Sequence, residues 1–392
     1  MKSRFYDKLQ LEGKYIDLDY GYYTQSQLNN LLPNGILSVD VAKHTEVTLY
    51  SEDNLIGPKY VISNIANKSR KVPGFNNELN GQTVKSIKIE CACRVDTDPY
   101  VTYEIYNNTF IRNGNTIAYT LYSVNPAPPK SAQDPPPQYN PIIVIIPDIG
   151  MARTLYSCVQ DELAQRRFSS IILDLRGTGE SSPSTTVTYI ELINDYRTII
   201  DDLKLNKKKP IVFGHGMGGA IAQLWGLTYR SELRNLILID TAPFALFNLY
   251  NQLTSTQQWL SGLITTAVYA SDVADAVYNT KSHDCQNTSL KQDLIDSYNY
   301  ANTPTLQAMY TQNLDDYSMA KAPKLMPIPV LILHGTHDDV IALSGGVALH
   351  HLIPDSEFIK IRTGHTPFFT RPDPTYELIF HYLSPTGSLY IN

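Results

Sequence analysis

The sequence predicts an α/β protein built on a parallel sheet and preceded by a smaller all-β module. Three observations carry this. From residue 142 onward, near-continuous apolar segments alternate with amphipathic ones, as strands covered on both faces by crossover helices do. Before residue 90, short alternating runs are separated by Gly, Asn and Pro, the mark of half-buried strands joined by turns. The stretch "KPIVFGHGMGGAIAQLWGL" (209–227) passes from a buried strand through a glycine-dense turn into a helix. Such a turn needs glycines because backbone and helix pack closely there.

In chain order, "KYIDLDY", "ILSVDV", "EVTLYSE" and "VKSIKIE" are strands of the first module, residues 1–95. The second module, 96–392, opens with "TFIRNGNTIAYTLYS" (109–123), a hairpin turning at Asn113-Gly114 or Gly114-Asn115. Residues 125–141 hold too much proline for regular structure and form a loop within this module. Strands follow at 142–146, 170–175, 210–214 and 235–240, with helices near 152–166, 188–205 and 220–227 between them. In the second helix Ile190, Ile193, Tyr196, Ile199, Ile200 and Leu203 recur at steps of three and four, giving one buried stripe. Residues 244–322 carry helical patterns and no strand. An insertion of this kind lies as a lid over the strands' carboxyl ends, where open α/β sheets bind ligands. Strands resume at 329–335 and 357–361.

With 392 residues, 43% of them hydrophobic, the chain can build a sizeable core. A net charge of −6 argues against nucleic acid or an anionic membrane as the main partner. Four cysteines do not make a disulfide framework. Cys158 shares its helix's apolar stripe with Leu155, Val159 and Leu163, a core position. No Cys/His spacing suggests zinc, so neither metal nor cofactor is expected. The first residues lack the apolar segment of a secretion signal, and no apolar run approaches the ~18 residues of a membrane span. The expected compartment is the cytoplasm, or the interior of a particle. On that basis the sequons at Asn67, Asn107 and Asn287 are chance matches.

"GHGMGGAIAQLWGLTYRSELRNLILIDTAPF", "LDLRGTGESSP" (173–183), "PVLILHGTHDDVI" (329–341) and "RTGHTPFFTRPDPTYELIFHYL" (362–383) stand in this order. Residues ~100–392 thereby resemble the α/β-hydrolase family. The resemblance implies the α/β-hydrolase fold with a helical lid. It implies hydrolysis of a small, largely apolar ester or amide by a serine, an acid and a histidine. It places Asp338 as the acid, with adjacent Asp339 as the fallback, and His365 as the base. The backbone N–H groups of Met217 and Ile149 would form the oxyanion hole. His215 and the lid residues Leu260, Leu263, Tyr269 and Tyr278 would line the substrate pocket.

Two departures stand out. Where G-x-S-x-G carries its serine this chain has Gly216, and where the family often has His-Gly before the second oxyanion donor it has Pro147-Asp148. Glycine cannot form an acyl-enzyme. Three explanations remain: a serine removed deliberately, a natural pseudoenzyme that binds a small ligand or a protein, or a water activated by His365. Both modules could also be structural scaffolds.

The first module has its own likeness. "VTLYSEDNLIGPKYVI" (47–62) resembles a βγ-crystallin Greek-key motif through Tyr50, Leu55 and Gly57. It implies a small Greek-key sandwich suited to docking or self-association. The calcium segment of such domains is incomplete in "PNGILS" (33–38) and in the stretch ending at Ser86.

Overall fold

A computed structural model describes residues 2–18, 21–42, 45–64, 69–75, 78–79, 81–91, 101–125, 140–184, 186–243, 288–311, 328–353 and 355–383. The chain divides into two compact units. One holds Met1–Asp96 with His283–Gln292, the other Thr97–Ser282 with Asp293–Asn392.

In the first unit the alternating runs form β1 (Ser3–Tyr6), β2 (Tyr15–Leu18), β3 (Gly21–Tyr23), β4 (Ser38–Val41), β5 (Thr45–Tyr50), β6 (Lys59–Asn64), β7 (Arg70–Val72) and β8 (Ser86–Cys91), with one helix, α1 (Gln25–Leu31). They pair into two four-stranded antiparallel sheets, β2-β1-β4-β7 and β3-β8-β5-β6. Phe5, Val39, Val47, Leu49, Ile62 and Ile87 fill the core between them, one apolar residue in two along each strand. The turn after β1 recurs after β5. Gln10 and Leu11, then Asn54 and Leu55, all have positive φ. Ser38 Oγ accepts from Leu11 N–H (3.0 Å) and donates to the Lys8 carbonyl (2.6 Å). Ser86 Oγ does the same for Leu55 N–H (2.9 Å) and the Glu52 carbonyl (2.7 Å). The module is therefore internally repeated, with one serine pinning each turn.

The second unit is an eight-stranded sheet in the order β16-β15-β14-β13-β11-β12-β10-β9. Its first hairpin pairs β9 (Tyr103–Arg112) with β10 (Asn115–Val124) through Asn113 and Gly114, both at positive φ. Positive φ at both positions makes the turn match the strand twist. β10 lies antiparallel to β12 (Ser170–Leu173). The remaining strands are parallel: β11 (Ile143–Ile146), β12, β13 (Ile211–His215), β14 (Asn235–Ile239), β15 (Val330–Gly335) and β16 (Glu357–Ile361). β11, β12, β13 and β15 are buried along their whole length, as their unbroken apolar sequences require.

Between them run α2 (Ser157–Gln165), α3 (Tyr189–Asp202) and α4 (Met217–Thr228), and later α5 (Thr288–Tyr300), α6 (Thr303–Thr311), α7 (Leu343–Leu352), α8 (Pro367–Thr370) and α9 (Pro372–Leu383). α3 starts at Thr188, which accepts from Glu191 N–H while the Glu191 side chain answers Thr188 N–H, a capping box. Cys158 departs from expectation. It is half-buried and disulfide-bonded, so it staples rather than fills the core.

Of the span read as a lid, 288–311 is described and forms α5 and α6. Leu260, Leu263, Tyr269 and Tyr278 lie outside the described residues. Among the described residues no helix is long and apolar enough to cross a membrane.

Candidate functional site

Neighbouring strands β11 and β13 send their chains off in opposite directions, which opens a crevice at their carboxyl ends. Five side chains and two turns converge there. After β13 the chain turns through Gly216 (φ 53°, ψ −121°) straight into α4. Glycine leaves room here that a side chain would contest. A Cβ on Gly218 would overlap the carbonyl oxygens of Ile146 and Pro147, and one on Gly216 would overlap the Asp148 carboxylate. The turn is held by Gly216 N–H donating to the Ile239 carbonyl (3.0 Å) and Thr241 Oγ1 donating to the Gly216 carbonyl (2.7 Å).

Asp338 and His365 come together as expected. His365 Nδ1 lies 2.8 Å from Asp338 Oδ2. Asp338 Oδ1 accepts from the N–H groups of Val340 (2.8 Å) and Ile341 (2.9 Å). Asp339, the fallback, points to solvent. The imidazole's other nitrogen does not face an empty nucleophile place. His365 Nε2 lies 3.0 Å from Asp148 Oδ2, while Asp148 Oδ1 accepts from Met217 N–H at 2.7 Å. The Asp148 side chain thus reaches from the end of β11 across to the β13 turn and fills the space that Gly216 leaves.

This departs from the expected oxyanion hole: the Met217 donor is already bound to an anion. Ile149 sits next along the same loop, packed against Ala301 and Leu306. His215 likewise differs from a pocket-lining residue. Its Nε2 donates to the His365 carbonyl (2.7 Å) and its Nδ1 accepts from Tyr156 Oη (2.8 Å). Tyr156 Oη in turn accepts from Asp148 N–H (3.0 Å). Both ring nitrogens are committed to the scaffold.

The electrostatics follow from these contacts. Burial alone would strip His365 of its proton, but the Asp338 charge, the bonds to both carboxylates and the Asp148 charge hold its pKa well above 6.5. Burial would raise Asp148 and Asp338 too, yet the imidazolium keeps both below the ordinary carboxylate value. His215 goes the other way: burial and repulsion from His365 bring it down to about 4. Asp240, at the end of β14, accepts from Gly335 N–H (2.6 Å). Burial and the facing Asp338 charge push its carboxyl well above the usual range, so it keeps its proton.

Asp240, His334 and Asp338 bring potential metal-ligand atoms within 4.8 Å of one another. Their atoms are engaged only in part: His334 Nδ1 and Asp240 Oδ2 are buried without a hydrogen-bond partner. His334 Nε2 donates to the Ile341 carbonyl (2.8 Å) and Asp338 Oδ2 serves His365.

Surrounding contacts fix the crevice walls. Arg176 pairs with Asp195 of α3 through two 2.9 Å bonds, so the "LDLRGTGESSP" segment is scaffolding. Arg153 pairs with Asp174 in the same loop. Ser297 of α5 donates to the Gly150 carbonyl (2.7 Å) and accepts from Ala152 N–H (2.8 Å). The Tyr298 ring lies over Gly150, 2.6 Å from where a Cβ would stand. Asp148, Asp240, Tyr156 and Tyr298 were not among the expected site residues. Only Asp148 left a trace in the sequence, as an acid standing where the family often has glycine.

A family model described as "alpha/beta hydrolase fold" matches residues 141–372. "Lipase 3" of Moraxella sp. (strain TA144) is 25% identical over 235 residues, 57% of this chain and 71% of that protein. "Putative esterase/lipase 2" of Mycoplasma pneumoniae is 25% identical over 233 residues, 56% of this chain and 80% of that protein. Among solved structures, the esterase RhEst1 from Rhodococcus sp. ECU1013 superposes with a TM-score of 0.56 at 17% identity, covering 72% of this chain and 98% of that one. A thermophilic esterase from Thermogutta terrifontis gives 0.53 at 20% identity, covering 71% and 98%. The strand order, the glycine turn after β13 and the family match over more than half the sequence have one meaning: the chain belongs to the α/β-hydrolase fold family.

Proposed function

We propose that this chain is a serine-hydrolase-type scaffold, built for a small, largely apolar ester or amide, that performs no acyl transfer as it stands. The observation that carries the reading is the Asp148 carboxylate bridging Met217 N–H and His365. Each requirement of the reaction is then unmet. Gly216 offers no nucleophile. His365, held toward its charged form between two carboxylates, is a poor acceptor for a proton from serine or water. The Met217 donor meets a resident anion instead of a developing one.

The same contacts favour a natural pseudoenzyme over a serine lost by design. Gly216 and Asp148 fit each other: a side chain at 216 and the carboxylate at 148 compete for one volume. Activation of water by His365 is disfavoured by its protonation. The role left is binding, with the α5–α6 segment covering the crevice. The first unit fits a crystallin-like docking module, supported by its repeated, serine-pinned turns.

The test is a set of variants exposed to a fluorophosphonate probe and a short-chain p-nitrophenyl ester. The parent and Gly216→Ser are expected to be inert. Gly216→Ser with Asp148→Gly is expected to label and to turn over, at about 10³-fold above the single variant or more, and His365→Ala should abolish both effects. Turnover by Gly216→Ser alone, at the double variant's rate, would show that Asp148 blocks nothing.

A further inference from the structure

The eight-stranded sheet ends at β9 among the described residues. The inner edge of this strand pairs with β10 over ten residues, from Tyr103 opposite Val124 to Arg112 opposite Asn115. Among the described residues its outer edge has no strand partner. Six successive residues, Glu104 to Thr109, are exposed, so neither face of this margin is covered. Ile105, Tyr106 and Ile111 are 49%, 46% and 75% exposed. A long, straight, partly apolar edge is a template for another strand, and proteins that must avoid pairing blunt such edges with Lys, Pro, bulges or short length. "YEIYNNTFIR" has no Lys, Pro or Gly, and its pairing with β10 runs without a bulge.

We propose that β9 pairs antiparallel with β9 of a second copy of this chain, the two-fold axis passing at Asn108, so that the two sheets become one. The backbone permits it. Arg112 and Asn115 flank the two-residue turn as its closing hydrogen-bonded pair. Even-numbered residues of β9 therefore point their N–H and C=O at β10, while Ile105, Asn107, Thr109 and Ile111 point theirs outward. The Thr109 N–H donates to its neighbour Asn108 Oδ1 (2.8 Å), a local bond that pairing would exchange.

The side chains select the register. With Asn108 on the axis, Glu104 lies opposite Arg112, Ile105 opposite Ile111, Tyr106 opposite Phe110, and Asn107 opposite Thr109. Every pair but the central one occurs twice, and each matches charge with charge, apolar with apolar, or polar with polar. Directly opposed pairs of these kinds stabilise sheets. Moving the axis to Asn107 sets Glu104 against Phe110 and Ile105 against Thr109. Moving it to Thr109 sets Asn107 against Ile111 and Asn108 against Phe110. Arg112 Nη1 bonds Asp195 (2.8 Å) and the Glu191 carbonyl, and a guanidinium has further donors for a partner's Glu104.

The register makes a sharp test. The Asn108 pair is non-hydrogen-bonded, with Cα atoms about 4.5 Å apart, inside disulfide range. Sedimentation velocity on the full chain over a wide concentration range should show a monomer–dimer equilibrium. Ile105→Lys with Ile111→Lys should leave only monomer, with far-UV circular dichroism unchanged because both positions are exposed, and with the thermal midpoint that the parent shows when diluted to monomer. Under mild oxidation Asn108→Cys should cross-link to itself. Asn107→Cys and Thr109→Cys should cross-link only when mixed. A parent that stays monomeric overturns the proposal. So does a dimer indifferent to the two lysines, a dimer without the Asn108→Cys link, or growth into open polymers.

Discussion

His365 lies between two carboxylates, Asp148 and Asp338, with a protonated carboxyl at Asp240 behind them. The arithmetic of that row fixes its behaviour. An imidazole between two buried anions stays charged because losing its proton would leave both without a counter-ion. Imidazole ¹⁵N spectra should show His365 as imidazolium at neutral pH, and His215 as the neutral tautomer protonated at Nε2. Asp148→Asn removes one anion and should let His365 titrate nearer its ordinary range. It should also destabilise the chain by about 3–5 kcal/mol, the cost of breaking a buried ion pair, read by denaturant unfolding. An unchanged His365 resonance in Asp148→Asn would mean that Asp338 alone sets its charge. Gly216, Asp338 and His365 were set together by the resemblance of their segments to the α/β-hydrolase family, and each sits just past a strand end. Asp148 was visible only as an anomaly. Its role depends on a side chain reaching from one strand's loop to another's, and no spacing along the chain encodes that reach.

The strands explain why so much else was legible. Their apolar runs are long enough, and their intervening stripes regular enough, that tertiary context had nothing to override. The repeat in the first unit was equally readable and only half read: Tyr6, Leu11 and Gly13 space themselves as Tyr50, Leu55 and Gly57 do. What no periodicity carries is the cross-bracing between elements. Tyr156, from the turn leading into α2, links the Asp148 backbone to His215 on β13. Tyr156→Phe keeps the ring against Phe368 and Phe369 and deletes only the hydroxyl. It should cost about 1–3 kcal/mol for each buried group left unpaired, and should shift the His215 tautomer balance in the same ¹⁵N spectrum. A neutral effect on stability would mean that water replaces the hydroxyl.

Across the whole molecule, buried titratable groups shape stability against pH. His215 has a folded pKa of about 4 against 6.5 unfolded. Its contribution is complete above 6.5 and is lost as pH falls toward 4, since the unfolded chain takes up the proton first. At about 1.4 kcal/mol per unit this approaches 3 kcal/mol. His334, also held low by burial, adds to the same loss. His365 acts oppositely: its pKa is raised, so its contribution is complete below 6.5 and is lost as pH rises through the folded value. Asp148 and Asp338, both lowered, lose theirs only below the ordinary carboxylate range. Asp240, with its raised carboxyl, gains stability as pH falls over the same range. Chemical denaturation at a series of pH values should therefore show a slope between pH 6.5 and 4 in which the histidines' loss is opposed by Asp240. His215→Asn should remove its share of that loss, and a slope unchanged by the substitution would place its origin elsewhere.

The mutual fit of Gly216 and Asp148 also imposes a direction on change. A lineage or a protein engineer seeking ester hydrolysis from this chain has two steps to take, and they do not commute. Trimming position 148 first leaves a hole that a later serine can occupy. Placing the serine first sets it against the end of the Asp148 side chain, which must swing aside, while trimming position 148 breaks the pair with His365. Silence in this site is thus easier to enter than to leave.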